Sequence, residues 1–213
     1  VVDLHQIIII IFNLKSESMK TIVTSLIAIL TTTVNFPEAK QWQLDKSHSS
    51  INFAIDHLMV SETTGKFEDY ILEVRADKED FTDASFSFTA KVNSVNTNDL
   101  KRDEHLKQED FFDSKKYPTI TFKSKSFKKV KDNGYKIKGE LTIKNVTKTV
   151  EFDAKFGGII KDPWGGTRAG LKVWGEINRF DYGLNYNSLL DAGGLAVGKE
   201  VRLTCNIELI QKK

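Results

Sequence analysis

The sequence predicts an all-β protein: an eight-stranded antiparallel barrel of the up-and-down kind, interrupted by a short helical crossover near residues 98–112. Three observations lead there. Apolar and polar residues alternate with a period of two through most of the chain after Trp42. Fourteen Phe against three Pro imply a large aromatic interior in regular structure rather than a loop-rich scaffold. One segment, KRDEHLKQEDFFDSKKYPTITF from Lys101 to Phe122, breaks the alternation with a charged, helix-friendly run, two adjacent Phe and a Pro.

The strands follow in order. INFAIDHL sets Ile51, Phe53, Ile55 and His57 on one face, and a second strand is predicted over Phe67 to Val74. ASFSFTAKV aligns Phe86, Phe88, Ala90 and Val92. The crossover can start at Asn98 or Asp99 as N-cap, with Leu100, Leu106 and Phe111 on its inner side, and Pro118 stops it before a strand at Thr119 to Phe127. GYKIKGELTIK, TVEFDAKF and AGLKVWGEI then alternate, and the last strand lines up Val201, Leu203, Cys205, Ile207 and Leu209. DNG at 132–134, GG at 157–158 and DPWGG at 162–166 read as turns. No linker or repeat divides the chain. A closed barrel removes sheet edges and can enclose a ligand, and its open mouth gives the helix something to cover; a two-sheet sandwich is the alternative.

Composition narrows the function. The 40% hydrophobic and 28% charged residues are those of a folded globular protein. A formal charge of +2, with no basic run interleaved with aromatics, argues against nucleic acid as a partner. Lys128, Lys129 and Lys131 form the densest basic patch and read as a solvated hairpin end. The single Cys205 cannot form an intramolecular disulfide and reads as a buried, inert thiol.

The N-terminal part reads as targeting sequence. From Met19 a Lys precedes an apolar run from Ile22 to Leu30, of secretory-signal length and too short to span a bilayer. Cleavage after Ala39 is expected, although Pro37 weakens that site. Residues 1–18 read as an upstream extension, with a membrane-anchoring segment as the alternative, and residues 40–213 as the folded barrel.

The order of these pieces resembles the YceI-like family. WQLDKSHSSINFAIDHL, GKFEDY, VNTNDLKRDEHLKQEDFFDSKKYPTITFKS, GELTIKNVTKTVEFDAKF, DPWGGTRAGLKVWGEINRFDYGL and VGKEVRLTCNIEL appear in register from Trp42 to Leu209. The resemblance implies a lipocalin-like barrel whose elongated apolar cavity holds a polyisoprenoid, of polyprenyl or quinone type, or a similar fatty lipid. It further implies export, in Gram-negative species to the periplasm, often a homodimer, and no known catalytic residue set; no cofactor is expected. Asp56 and Leu72 sit where members vary, so ligand length is not carried over.

A long apolar chain needs a dry wall rather than charge, because each buried methylene contributes about 0.8 kcal/mol. Phe53, Phe67, Phe88, Phe122, Leu141, Phe152 and Leu171 are the expected wall, and the small residues Ala90, Gly139, Ala154 and Gly175 on the same faces are expected to leave it hollow. A polar head would meet Arg102, His105 or Arg179 at the mouth, with His48 and His57 as further candidates. Arg102 could instead join Asp103 and Glu104 in a surface ion network. Phe111 and Phe112 are expected to stopper the mouth.

Other chemistries have weaker signals. His48 and His57 stand nine apart around one strand, with no cluster completing a metal site. HSS at 48–50 offers nucleophile and base without a strained G-x-S-x-G elbow. A transmembrane barrel would present an apolar outer face, whereas here that face is dense in Lys and Glu. A non-enzymatic secreted interaction or stress-response scaffold remains the alternative function, and it predicts a filled barrel.

Overall fold

The computed structural model describes residues 39–188 and 195–212. The segments read as an extension and a signal peptide lie, but for Ala39, outside the described residues. Ala39–Lys213 forms a compact unit of its own.

Eleven strands build eight staves, because three staves are each broken in two. The first holds β1 (Gln41–Leu44) and β2 (Ser50–His57), the second β3 (Ser61–Phe67) and β4 (Tyr70–Arg75), the third β5 (Ser85–Lys91) and β6 (Val95–Asn96). β7 (Thr119–Lys131), β8 (Gly134–Ile143), β9 (Val146–Lys161), β10 (Thr167–Asn178) and β11 (Val197–Gln211) are continuous. Every neighbouring pair is antiparallel, and β11 returns to both β1 and β2, which closes the barrel. The predicted strand from Phe67 to Val74 is therefore two pieces. The chain bends at Glu68 and Asp69, so β3 pairs with β2 while β4 pairs with β1.

Turn chemistry sets the hairpins. Asp132 takes a left-handed φ of 48° between β7 and β8. Asp162 accepts from the amides of Trp164 and Gly166 between β9 and β10. Gly157–Gly158, read above as a turn, lies inside β9. The ladder with β10 shifts register there, and Gly158 supplies the φ of +92° that the bulge requires.

Among the described residues one α-helix, α1 (Leu100–Leu106), links β6 to β7. Asp99 is its N-cap and accepts from the amides of Lys101 and Arg102. The helix is shorter than the predicted crossover, and its inner face differs. Leu100 points to solvent, while Asp103 is buried because its carboxylate accepts from the amide and hydroxyl of Thr97.

The two ends of the barrel differ. The end that carries the β4–β5, β7–β8 and β9–β10 connections is plugged by aromatic rings. Trp42 meets Phe81 at 5.0 Å, Phe81 meets Phe156 at 4.7 Å, and Phe127 stacks on Tyr135 at 4.6 Å. Phe81 adopts a left-handed φ of 58° in the β4–β5 loop, where it is wholly buried in this floor. The polar tips of Trp42 and Tyr135 donate to the carbonyls of Ala76 and Asp80, so the floor is satisfied as well as packed. The opposite end carries the β2–β3 turn, the helical crossover, the β8–β9 turn and the β10–β11 connection.

Candidate apolar binding cavity

Above the aromatic floor the barrel is hollow. A cavity of about 370 Å³ fills the mouth half. Phe53, Phe67, Phe88 and Phe122 point inward yet are only partly buried, because their accessible faces look into this space. Ile55, Leu72, Ile120, Ile137, Ile143 and Leu203 complete much of the wall.

The structure places the expected wall residues individually. Phe53, Phe67, Phe88, Phe122, Leu141 and Phe152 line the cavity. Leu171 does not. It lies opposite Phe156, a floor residue, and is buried in the packed half. The glycines also act differently from the expectation. A Cβ on Gly175 would sit 2.5 Å from the Phe152 ring, and one on Gly139 would sit 2.5 Å from the Phe122 ring. Gly65, opposite Phe53, would likewise drive a Cβ into that ring. These glycines are seats for neighbouring rings, which lie down against the wall. The hollow exists because the rings are folded flat, not because the small residues leave gaps beneath them.

At the mouth the crossover brings its aromatic pair to the rim in two directions. Phe112 turns to Phe67, with ring centroids 6.1 Å apart. Phe111 joins His105 at 5.0 Å and Tyr186 at 4.8 Å, and His105 Nε2 lies 2.8 Å from Asp110 Oδ2. Tyr186 was not foreseen, since it lies in a polar stretch without alternation. His57 ends β2 on the cavity rim, exposed.

The two arginines are occupied by the protein. Arg102 donates from Nε to the Thr97 hydroxyl at 2.7 Å and from Nη2 to the Thr97 carbonyl at 2.8 Å. Its expected network with Asp103 and Glu104 is absent among the described residues; Glu104 pairs with Lys107 and Asp103 with Thr97. Arg179 is 2% exposed and donates to four backbone carbonyls, those of Gly198 (2.7 Å), Leu184 (2.5 Å), Tyr186 (2.8 Å) and Val197 (3.0 Å). Its guanidinium also lies 4.3 Å from the Phe180 ring centroid, and burial lowers its pKa. This residue ties both ends of the β10–β11 connection to the rim and has little left for a head group.

Cys205 lies on the wall, and burial among apolar groups pushes its thiol up to about 12. A thiol so held is a poor nucleophile. His48 sits outside the cavity, at the closed end. Its Nδ1 is 3.0 Å from both the Ser47 hydroxyl and Asp45 Oδ2, so serine and carboxylate meet the same ring nitrogen rather than opposite ones. Asp45, His48 and Glu208 come within ligating distance of one another, but Arg168 already bridges Asp45 at 2.7 Å, Glu208 at 2.6 Å and Asp162 at 2.7 Å.

Comparison with known proteins agrees with this architecture. The YceI-like domain model matches residues 42–209. UPF0312 protein SA2479 of Staphylococcus aureus N315 is 41% identical over 165 residues, covering 77% of this chain and 94% of that protein. The crystal structure of the Campylobacter jejuni YCEI protein is 33% identical, with a TM-score of 0.63 over 80% of this chain and 97% of that one. Burkholderia cenocepacia BcnA, at 22% identity and a TM-score of 0.65, shares the fold over 78% of this chain and 98% of its own. A polyisoprenoid binding domain from Saccharophagus degradans, 16% identical, has a TM-score of 0.56 over 80% of this chain and 98% of its own. With the family pattern spanning the whole closed barrel, this chain belongs to the YceI-like family.

Proposed function

We propose that the barrel binds one long apolar lipid, a polyisoprenoid of polyprenyl or quinone type, and carries, stores or sequesters it without chemical change. The observation that carries this reading is the cavity itself, open at one end and walled by Phe, Ile, Leu and Val. Burial of a chain there contributes about 0.8 kcal/mol per methylene with no ion pair required. The reading gains support from the polyisoprenoid binding domain that shares the fold. A filled-barrel scaffold would have packed rings in the mouth half as it does in the floor. Binding rather than turnover is favoured by the suppressed Cys205 thiol and by arginines engaged with the protein. We place the work of the barrel outside the cytoplasm, in the periplasm, on the signal-like run after Met19.

The test is saturable uptake of a labelled prenol from detergent. The Phe88→Trp variant, with extra ring volume on the cavity wall, should weaken uptake, whereas Ile71→Trp on the outer wall should not. Equal effects of both, or no saturable uptake by the parent protein, would reject the proposal.

A further inference from the structure

The β2–β3 turn at the cavity mouth combines two features that stability alone would not select. Leu58, Met59 and Val60 stand 41%, 70% and 84% exposed, three large apolar residues in succession. Leu58 and Met59 also have φ of 53° and 59°, and the turn closes by Val60 N–H donating to the His57 carbonyl. A turn with left-handed φ at both central residues favours Asn and Gly, and apolar side chains there are unfavourable for the fold. The turn is nevertheless held in place, since Leu58 N–H donates to the carbonyl of Ala196, the residue just before β11. His57, the residue before it, lines the cavity.

The charges beside the turn are paired within the protein. The nearest carboxylates, Asp56 and Glu62, both pair with Arg202, so neither stands as an unpaired anion next to the apolar tip. Residues 58–60 carry no charge, and Leu100 at the start of α1 adds a fourth exposed apolar side chain at the same end of the barrel. The exposed apolar tip thus stands next to His57, which lines the cavity at its rim.

We infer that the Leu58–Met59–Val60 turn inserts into the interfacial layer of a phospholipid bilayer and sets the cavity mouth on the membrane, so that an apolar ligand passes from bilayer to barrel without crossing water. The identity of the occupant follows from the cavity: what enters it is an apolar chain, which in water resides in bilayers. The inference rests on the proposed lipid-binding reading, and the experiment separates the two.

The Ala39–Lys213 unit is assayed three ways: co-flotation with phosphatidylcholine vesicles lacking any ligand, transfer of a fluorescent long-chain prenol out of such vesicles, and prenol uptake from detergent. Substituting Met59→Asp with Val60→Asp should lower co-flotation and transfer by about tenfold or more, since two apolar side chains leave the interface. Uptake from detergent should be unchanged. Met59→Gly, which relieves the left-handed φ, should raise the unfolding temperature while still lowering co-flotation several-fold, a pairing that a purely structural turn would not produce. Trp164→Asp, at the opposite end and 83% exposed, should leave all three unchanged. Co-flotation unaffected by the turn variants, or lost in Trp164→Asp instead, overturns the inference. Turn-dependent flotation without prenol uptake supports membrane docking and rejects the ligand.

Discussion

Replacing Arg179 by Met should detach the β10–β11 connection from the mouth. The side chain is 2% exposed and makes hydrogen bonds to four carbonyls, at Leu184, Tyr186, Val197 and Gly198. Hydrogen bonds from a charged donor contribute about 1.5–3 kcal/mol each, but they share one guanidinium whose burial itself costs several kcal/mol. The simple sum therefore overstates the loss. Removing the cation leaves carbonyls that must either stay unsatisfied, at about 1–3 kcal/mol each, or reach water by opening the connection. A net loss of roughly 3–5 kcal/mol is expected, equivalent to roughly 6–20 °C in the melting temperature of a domain this size. Urea unfolding measures the total, and hydrogen exchange across residues 179–188 and 195–202 tests its location. Arg179→Lys should restore only part, because an ammonium lacks the planar fork. A loss below about 1 kcal/mol with unchanged exchange would refute the role assigned to this residue.

Three other outcomes follow from the same structure. Gly175→Ala should destabilise by about 1–3 kcal/mol in urea, because the new Cβ meets the Phe152 ring at 2.5 Å, and Phe152→Leu in the same chain should recover most of it. Cys205, with its thiol pushed up by burial, should react with iodoacetamide at pH of about 8 more slowly, by about tenfold or more, in the folded protein than in urea. Asp45 is held below the ordinary carboxylate range by the Ser47 hydroxyl, Arg168 and His48, and Asp162 by Arg168 first. Depressed carboxylates stabilise the fold above their unfolded pKa near 3.8 and lose that contribution as the pH falls towards the folded value. The stability gap between the parent protein and Arg168→Met should thus be flat from about pH 7 to 5 and shrink below about pH 4, as followed by denaturation across that range.

The staves were readable because period-two alternation marks any strand with one face inward, and that face is inward in a barrel whether the interior is packed or hollow. The same property hid where the cavity lies. Leu171 and Leu141 look alike in sequence, and only the bulge at Gly157–Gly158 and the floor beside it decide that Leu171 is packed while Leu141 faces the void. Phe81 supplies that floor from a loop without alternation; its one trace in sequence is an isolated aromatic among DKED and TDAS. Glycines carry a similar ambiguity. A missing side chain can mean empty space or a seat for a ring, and Gly65, Gly139 and Gly175 prove to be seats once cross-strand register is known. Arg102 and Arg179 stood out by residue type, but type does not distinguish a donor for ligand from a donor for backbone carbonyls. Helical spacing places Leu100 inward, yet the Asp103–Thr97 contact turns the helix the other way.

We read the mouth half of this barrel as a container for an apolar chain. Native mass spectrometry of the Ala39–Lys213 unit purified from a bacterial host without added lipid, followed by organic extraction, tests it most directly. A single co-purifying isoprenoid or fatty chain per barrel, lost on Phe88→Trp, is the predicted result. Protein that arrives empty and also refuses added prenols and quinones would contradict it.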